Sequence, residues 1–169
     1  MAEMWDVLDE NGNKTGRLHE RSPMMGAIMN PGDYHLVVHV WIMNSKNEFL
    51  ISKRAAGIWN SGMWQTTSGC AIVGDDSLSA ALREVKEELG IVLSPKDGQM
   101  FRQHSKEGLL FDEWLFYQEV DILKIALQPS ETCDAMWASG DEIEMMLSEG
   151  NFMSGKPPCN PIPPGGRPC

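Results

Sequence analysis

The sequence contains no apolar run near the roughly 18–20 residues that a membrane span needs. It opens Met1-Ala2-Glu3-Met4-Trp5-Asp6, without the basic start and apolar stretch of a secretory signal. A cytoplasmic address without a membrane partner is therefore expected. Basic residues are scarce: 14 Lys and Arg stand against 24 Asp and Glu, a formal net charge of −10. That argues against a nucleic-acid polymer as partner, because phosphate-backbone affinity comes from clustered Lys and Arg. An anionic substrate would then need a local attractor, and a bound metal ion is the simplest one. The four cysteines, Cys70, Cys133, Cys159 and Cys169, form no Cys-x-x-Cys pair and no zinc spacing. Cys70 and Cys133 are expected as reduced packing residues.

What is present fits one globular domain: 169 residues, 42% hydrophobic and 22% charged. Residues 3–22 read as a strand or hairpin with a turn at Asp9–Asn13, and 23–34 as a loop. His35–Met43 alternates, with Leu36, Val38, Val40 and Ile42 on one face, and reads as a strand. His35 and His39 share its other face, where a half-buried, hydrogen-bonded pair is expected. Asn44–Asn47 is a turn and Glu48–Arg54 a second strand. Short strands are predicted near Met63–Thr67 and Cys70–Val73, longer ones near 99–106 and 110–121, and another at Ala135–Ala138. Helices are predicted over Asp75–Gly90 and Asp141–Leu147. From Gly155 the chain turns rich in Pro and Gly, which suits neither helix nor central strand. We divide it into a domain, 1–154, and an extended tail, 155–169, draped on the domain.

The first helix carries the chemistry. Asp76 or Ser77 supplies its N-cap, and Leu78, Leu82, Val85 and Leu89 form an apolar stripe. Glu84, Glu87 and Glu88 stand at i, i+3 and i+4, so their carboxylates share one face. Arg83 lies beside them. Like charges at that spacing destabilise a bare helix by about 0.2–0.5 kcal/mol per pair. Concentrated carboxylates suit a hard divalent cation that takes oxygen ligands and keeps waters; on their own, such acids also occur as a plain solvated face.

Gly69, five residues, Asp75, seven residues, then Arg83-Glu84-Val85-Lys86-Glu87-Glu88-Leu89-Gly90-Ile91 resembles the Nudix box of MutT-type pyrophosphohydrolases, G-x5-E-x7-R-E-U-x-E-E-x-G-U. Only Asp75 departs, standing where the family has Glu. The resemblance implies an α/β/α sandwich around a mixed sheet, the box forming a loop–helix–loop. It implies Mg2+ or Mn2+ held by Glu84, Glu87 and Glu88, one carboxylate serving as general base, with Glu131 as a further ligand from outside the box. Glu107 and Glu113 are weaker candidates for that position. Arg83 resembles the family's orienting arginine, and Gly69 the box glycine that acts through its backbone. Lys53 and Arg54 resemble the basic pair that meets phosphates, Arg54 being preferred. Asp75 occupies a peripheral position, so its shorter stem is expected to matter little. Relatives are often homodimers.

The stretches Trp5–Gly12, Gly16–Arg21 and Tyr34–Leu36 resemble the isopentenyl-diphosphate isomerase-like branch. True isomerases combine three histidines with acids at a metal and use a cysteine just before the box glycine. His19 and His35 resemble two of those histidines, but Ser68 occupies the cysteine position and Cys70 the next histidine position. The intact Arg83-Glu84 and Glu87-Glu88 pairs therefore favour a metal-dependent pyrophosphohydrolase cleaving a diphosphate linkage in a nucleotide-type small molecule. An isomerase and a non-catalytic nucleotide-binding domain remain the alternatives. Substrate choice is assigned to loops 22–34, 55–62 and 105–110. Trp59, Trp64 and Trp114 serve either stacking or packing.

Overall fold

A computed structural model describes residues 3–21, 29–153 and 155–158. The strands are β1 (Met4–Leu8), β2 (Lys14–Glu20), β3 (His35–Met43), β4 (Phe49–Arg54), β5 (Trp64–Gln65), β6 (Thr67–Cys70), β7 (Gly98–Lys106), β8 (Leu109–Tyr117) and β9 (Thr132–Ala138). The helices are α1 (Ser77–Leu89) and α2 (Gly140–Ser148). Strands β1 and β2 form a separate hairpin. The main sheet runs β5-β4-β3-β8-β7, with β6 paired to β3 and β9 to β4. Only β3 and β8 pair in parallel among these contacts, so the sheet is mixed.

The alternation in β3 builds both faces of the sandwich. Val38, Val40 and Ile42 pack with Ala80, Ala81, Val85 and Leu89 of α1. Trp41 and Met43 pack on the other face with Phe49, Ile51, Leu115 and Ile143 of α2. A strand covered on both faces reads as a near-continuous apolar run, as this one does. The fold is the α/β/α sandwich implied by the box.

Several boundaries move from their expected places. The strand after Trp64 is Thr67–Cys70 rather than Cys70–Val73, because it lies antiparallel on β3 with Val37 opposite Cys70. Strand β8 ends at Tyr117, where its pairing with Met43 ends, and β9 begins earlier, at Thr132. The two histidines of β3 are not a hydrogen-bonded pair. Both ring nitrogens of His35 and Nδ1 of His39 are buried without partners. His35 stacks instead on Trp5, centroids 3.8 Å apart. Cys133 faces solvent rather than packing; Cys70 is partly buried, and both are free. In the tail, Pro157 and Pro158 are buried, while Cys159 and Cys169 lie outside the described residues, as does part of loop 22–34.

Helix α1 is fixed at both ends. Asp76 is the N-cap, exchanging hydrogen bonds with Ser79 in a capping box. Gly90 closes it at φ 68°, a left-handed position that suits glycine. Its last carbonyls are taken up by the loop before β9. Ala126 N–H donates to Leu89 O at 3.0 Å, Gln128 N–H to Glu88 O at 3.0 Å, and the Thr132 hydroxyl to Glu88 O at 3.1 Å. The loop bearing Glu131 is thereby tied to the turn bearing Glu88. Thr132→Val keeps the volume and removes the buried donor. It is expected to lower unfolding free energy by about 1–2 kcal/mol, read as a lower urea midpoint at unchanged m-value.

Candidate active site

The acids of α1 do not all face solvent. Counting only large apolar residues places the buried stripe on Leu78, Leu82, Val85 and Leu89, yet the fully buried side chains include Ala80 and Ala81. These small residues let α1 approach the sheet closely. Glu88 continues the row Ala81–Val85–Glu88 at i, i+4 and i+7 and is itself only 6% exposed. Glu84 is also largely buried, and Glu87 stands at the rim.

Arg83 organises this cluster. Its guanidinium donates to Asp75 Oδ2 at 2.9 and 3.2 Å, to Glu84 Oε1 at 2.8 Å, to Glu87 Oε2 at 3.1 Å and to the Cys70 carbonyl at 2.9 Å. Burial works against its charge, but Glu84 and Asp75 hold the guanidinium above its ordinary pKa. Asp75 is thus no peripheral acid: it accepts two of the five bonds that set the arginine's position. Gly69 lies directly against the Glu84 carboxylate, and a Cβ built there would collide with it. The glycine is required by that close approach; its backbone is not in the left-handed region.

Burial pushes the Glu84 carboxyl up to about 7 against the pull of Arg83. Burial, followed by the charges of Glu84 and Glu131, pushes Glu88 up to about 8 against the pull of Arg54. Glu88 Oε2 is buried without a hydrogen-bond partner. A desolvated carboxylate pair with an orphan oxygen fits a hard divalent cation. Among the described residues, no three His, Cys, Asp or Glu side chains close into a ready chelate.

Strand β4 separates the predicted basic pair. Arg54 lies on the α1 side, donating to Gln65 Oε1 at 2.8 Å and to the Trp59 carbonyl at 2.7 Å, within electrostatic reach of Glu88. Lys53 projects to the α2 side, its ammonium 5.6 Å from the Trp64 ring centroid. The structure does not bring Lys53 to the carboxylates, because neighbours in a strand face opposite ways. Glu113 is on β8, bonded to Arg102, and Glu107 lies in the exposed turn between β7 and β8; neither joins the cluster. Trp114 packs on the α1 side and donates to the Ser77 hydroxyl, while Trp59 is half exposed.

Several polar groups near this centre have no signal in the box. Ser52 Oγ and Gln65 Nε2 are buried without partners on the floor beside Arg54. The hairpin brings up Arg21, which bonds Glu3 at 2.9 Å and lies in the field of Cys70 and Glu131. Only the 16–21 resemblance pointed toward Arg21. On the far side of Asp75, a cleft of about 460 Å³ opens between the Asp9–Gly12 turn and the start of α1, floored by Leu36 and Leu110.

A protein-family model described as the NUDIX domain matches residues 33–154. The chain is 37% identical over 155 residues to an uncharacterised Nudix hydrolase of Listeria monocytogenes, covering 89% of this chain and 88% of that protein. It is 28% identical over 155 residues to the isopentenyl-diphosphate Delta-isomerase of Pectobacterium atrosepticum, covering 86% and 83%. Among solved structures, the Deinococcus radiodurans protein DR0079 superposes with a TM-score of 0.71 at 15% identity, covering 90% of this chain and 93% of that one.

The raised carboxyl pKa values set the sign of a pH dependence. In the fold Glu84 and Glu88 retain protons that the unfolded chain loses near pH 4.5. Without a cation, their contribution to stability is full below that pH and is lost as pH rises through about 7 and about 8. His35 and His39, pushed down to about 4 mainly by burial, have the opposite sign: their contribution is lost as pH falls below 6.5. Comparing wild type with Glu88→Gln cancels the histidines. In metal-free buffer, the variant should gain on wild type by about 1–3 kcal/mol between roughly pH 6 and 8.5 in denaturant unfolding. Millimolar Mg2+ should stabilise wild type and leave the variant unmoved.

Proposed function

The chain belongs to the Nudix family of hydrolases, and on that premise we propose that it is a divalent-cation-dependent pyrophosphohydrolase acting on a small diphosphate of the nucleotide type. The observation that carries this reading is the buried Glu84–Glu88 pair, with one orphan oxygen and Arg83 bracing it from the side. Glu84 and Glu88 would hold Mg2+ or Mn2+, with Glu87 at the rim and Glu131 within electrostatic reach of Glu88. When bound, the cation supplies a water of lowered pKa and neutralises phosphoryl charge.

The remaining work falls to the chain itself. Water adds its oxygen to phosphorus, a carboxylate of the set takes its proton, and the bond to the leaving phosphate oxygen breaks. Arg83 spends its donors on Asp75, Glu84, Glu87 and Cys70 O, so it positions the carboxylates rather than binding substrate. Arg54 is the cation best placed to meet a phosphate, supplying local positive charge on an acidic chain.

The isomerase reading is weaker. Ser68 stands where true isomerases use their cysteine, and His19 and His35 both stack on Trp5, at 6.0 and 3.8 Å. Burial raises the Cys70 thiol to about 11, an unreactive value for acid–base work at neutral pH. A phosphate-release screen with Mg2+ or Mn2+ decides between the readings, using nucleoside di- and triphosphates, nucleotide sugars, dinucleotides and isopentenyl diphosphate. Release from a nucleotide-type substrate, abolished by EDTA and reduced roughly 10²–10⁴-fold in Glu88→Gln, is the expected result. Isomerised isopentenyl diphosphate without phosphate release, or silence across the panel from folded, cation-loaded protein, would overturn it.

A further inference from the structure

The α1 face of the sheet carries a cleft that the hydrolase reading does not use. It holds about 460 Å³ and lies between the β1–β2 hairpin, the N-terminal end of α1 and the edge strand β7. Its floor is apolar, built from Leu8, Leu36, Ala71, Ile72 and Leu110. Strand pairing sets two rows across this face. Leu36, Leu110 and Ser105 stand side by side on β3, β8 and β7, and Val38, Asp112 and Gln103 form the next row.

Asp112 breaks the pattern of that second row. Strand alternation puts it on one face with Leu110, Trp114 and Phe116, and the last two pack into the core beneath α1. A carboxylate therefore stands where the alternation calls for an apolar side chain, and it is only 7% exposed. Its Oδ1 accepts from Gln103 Nε2 at 2.8 Å. Among the described residues, no hydrogen bond reaches Oδ2 and no cation pairs with this carboxylate. Three other acids of the cleft are compensated. Asp6 pairs with Lys14 at 2.8 Å, Asp75 pairs with Arg83 at 2.9 Å, and Asp76 caps α1. The helix end is thus already supplied with its anion. Glu10 is exposed at the rim and adds negative charge. A buried charge is costly unless it is both paired and hydrogen-bonded. Asp112 has the hydrogen bond and lacks the cation.

We propose that this cleft binds a small primary amine carried on an apolar body, its ammonium paired with Asp112. An ammonium brings the missing positive charge and three donors on one atom. Asp112 Oδ2 accepts one of them. Gln103 Oε1 and the Ser105 hydroxyl line the same cleft and supply neutral acceptors for the others. A guanidinium suits the site less well. Its planar fork is matched to both carboxylate oxygens together, and Oδ1 is already engaged. An anion would be repelled by Asp112 and Glu10, and a neutral ligand would leave Asp112 unpaired. The volume lies within the range of small-molecule sites. Leu36 and Leu110 give the apolar body a surface to cover beside the charge. The site is separate from the carboxylate centre: Ser77 at its wall lies seven residues before Glu84, roughly 10 Å along α1.

The test needs no turnover, so it stands or falls apart from the hydrolase reading. The full chain at pH 7.5 in EDTA is titrated with 2-phenylethylamine, with 2-phenylethanol and with 3-phenylpropionate. The side-chain amide of Gln103 and the indole N–H of Trp114, which donates to Ser77 Oγ at the cleft wall, are followed by nuclear magnetic resonance. Saturable shifts of both groups with the amine, and none with the alcohol or the acid, are expected. Asp112→Asn keeps the shape and removes the charge. It should weaken the amine at least about tenfold, with the circular dichroism spectrum unchanged. Ser105→Tyr, at an exposed position of the same cleft, should block the amine with Asp112 intact and decides the matter if Asp112→Asn fails to fold. Repeating the titration in millimolar Mg2+ should leave the amine's affinity unchanged. Absence of saturable shifts, equal binding of the alcohol, equal affinity in a folded Asp112→Asn variant, or displacement of the amine by Mg2+ would overturn the proposal.

Discussion

Arg83 places one guanidinium among Asp75, Glu84, Glu87 and the carbonyl of Cys70. The box loop, the end of β6 and the acidic face of α1 are thus held through a single side chain. Without that cation, Glu84 would lie buried against Gly69 with its charge uncompensated, and breaking such a pair by removing one partner is strongly destabilising. Glu88 has no equivalent partner. Its second oxygen is left bare inside the protein, which is costly for any polar group unless something else binds there. The two carboxylates are therefore unequal: one is braced by Arg83, the other keeps an oxygen without a partner.

That inequality depends on α1 lying very close to the sheet. Ala80 and Ala81 are fully buried, and Gly69 has no side chain to push Glu84 away. The loop before β9 then closes over the end of α1, satisfying its carbonyls and bringing Glu131 near Glu88. The same small residues that permit tight packing also bury the acids and raise their pKa values. Packing and electrostatics are in this way one property of the α1–β3–β6 contact.

Much of this was legible in the sequence. The period-two alternation of His35–Met43 and the caps at Asp76 and Gly90 locate the central strand and α1. The box spacing singles out Gly69 and Arg83 through Glu88 before any contact is seen. Other features follow from contacts that local patterns do not encode. Glu88 looks solvent-facing when only large apolar residues define the stripe, because alanines carry little pattern signal while allowing the closest approach. Arg54 and Lys53 look like a pair in sequence, yet strand alternation sends them to opposite faces. Arg21 and Glu3 reach the centre only through the hairpin's docking, and Ser52 and Gln65 meet through strand pairing. The importance of Asp75 rests on a contact eight residues along, to Arg83.

Proton release on cation binding tests the central claim most directly. Without a cation, carboxyls titrating near 7 and 8 are partly protonated at neutral pH and must lose those protons to hold one. Mg2+ titration by calorimetry at pH 7, in two buffers of different ionisation enthalpy, measures that release. The account predicts release of about one proton per cation, falling toward zero well above pH 8 and diminished in Glu88→Gln. Binding at pH 7 with no buffer dependence would show that the cation meets carboxylates already ionised, and would contradict the account.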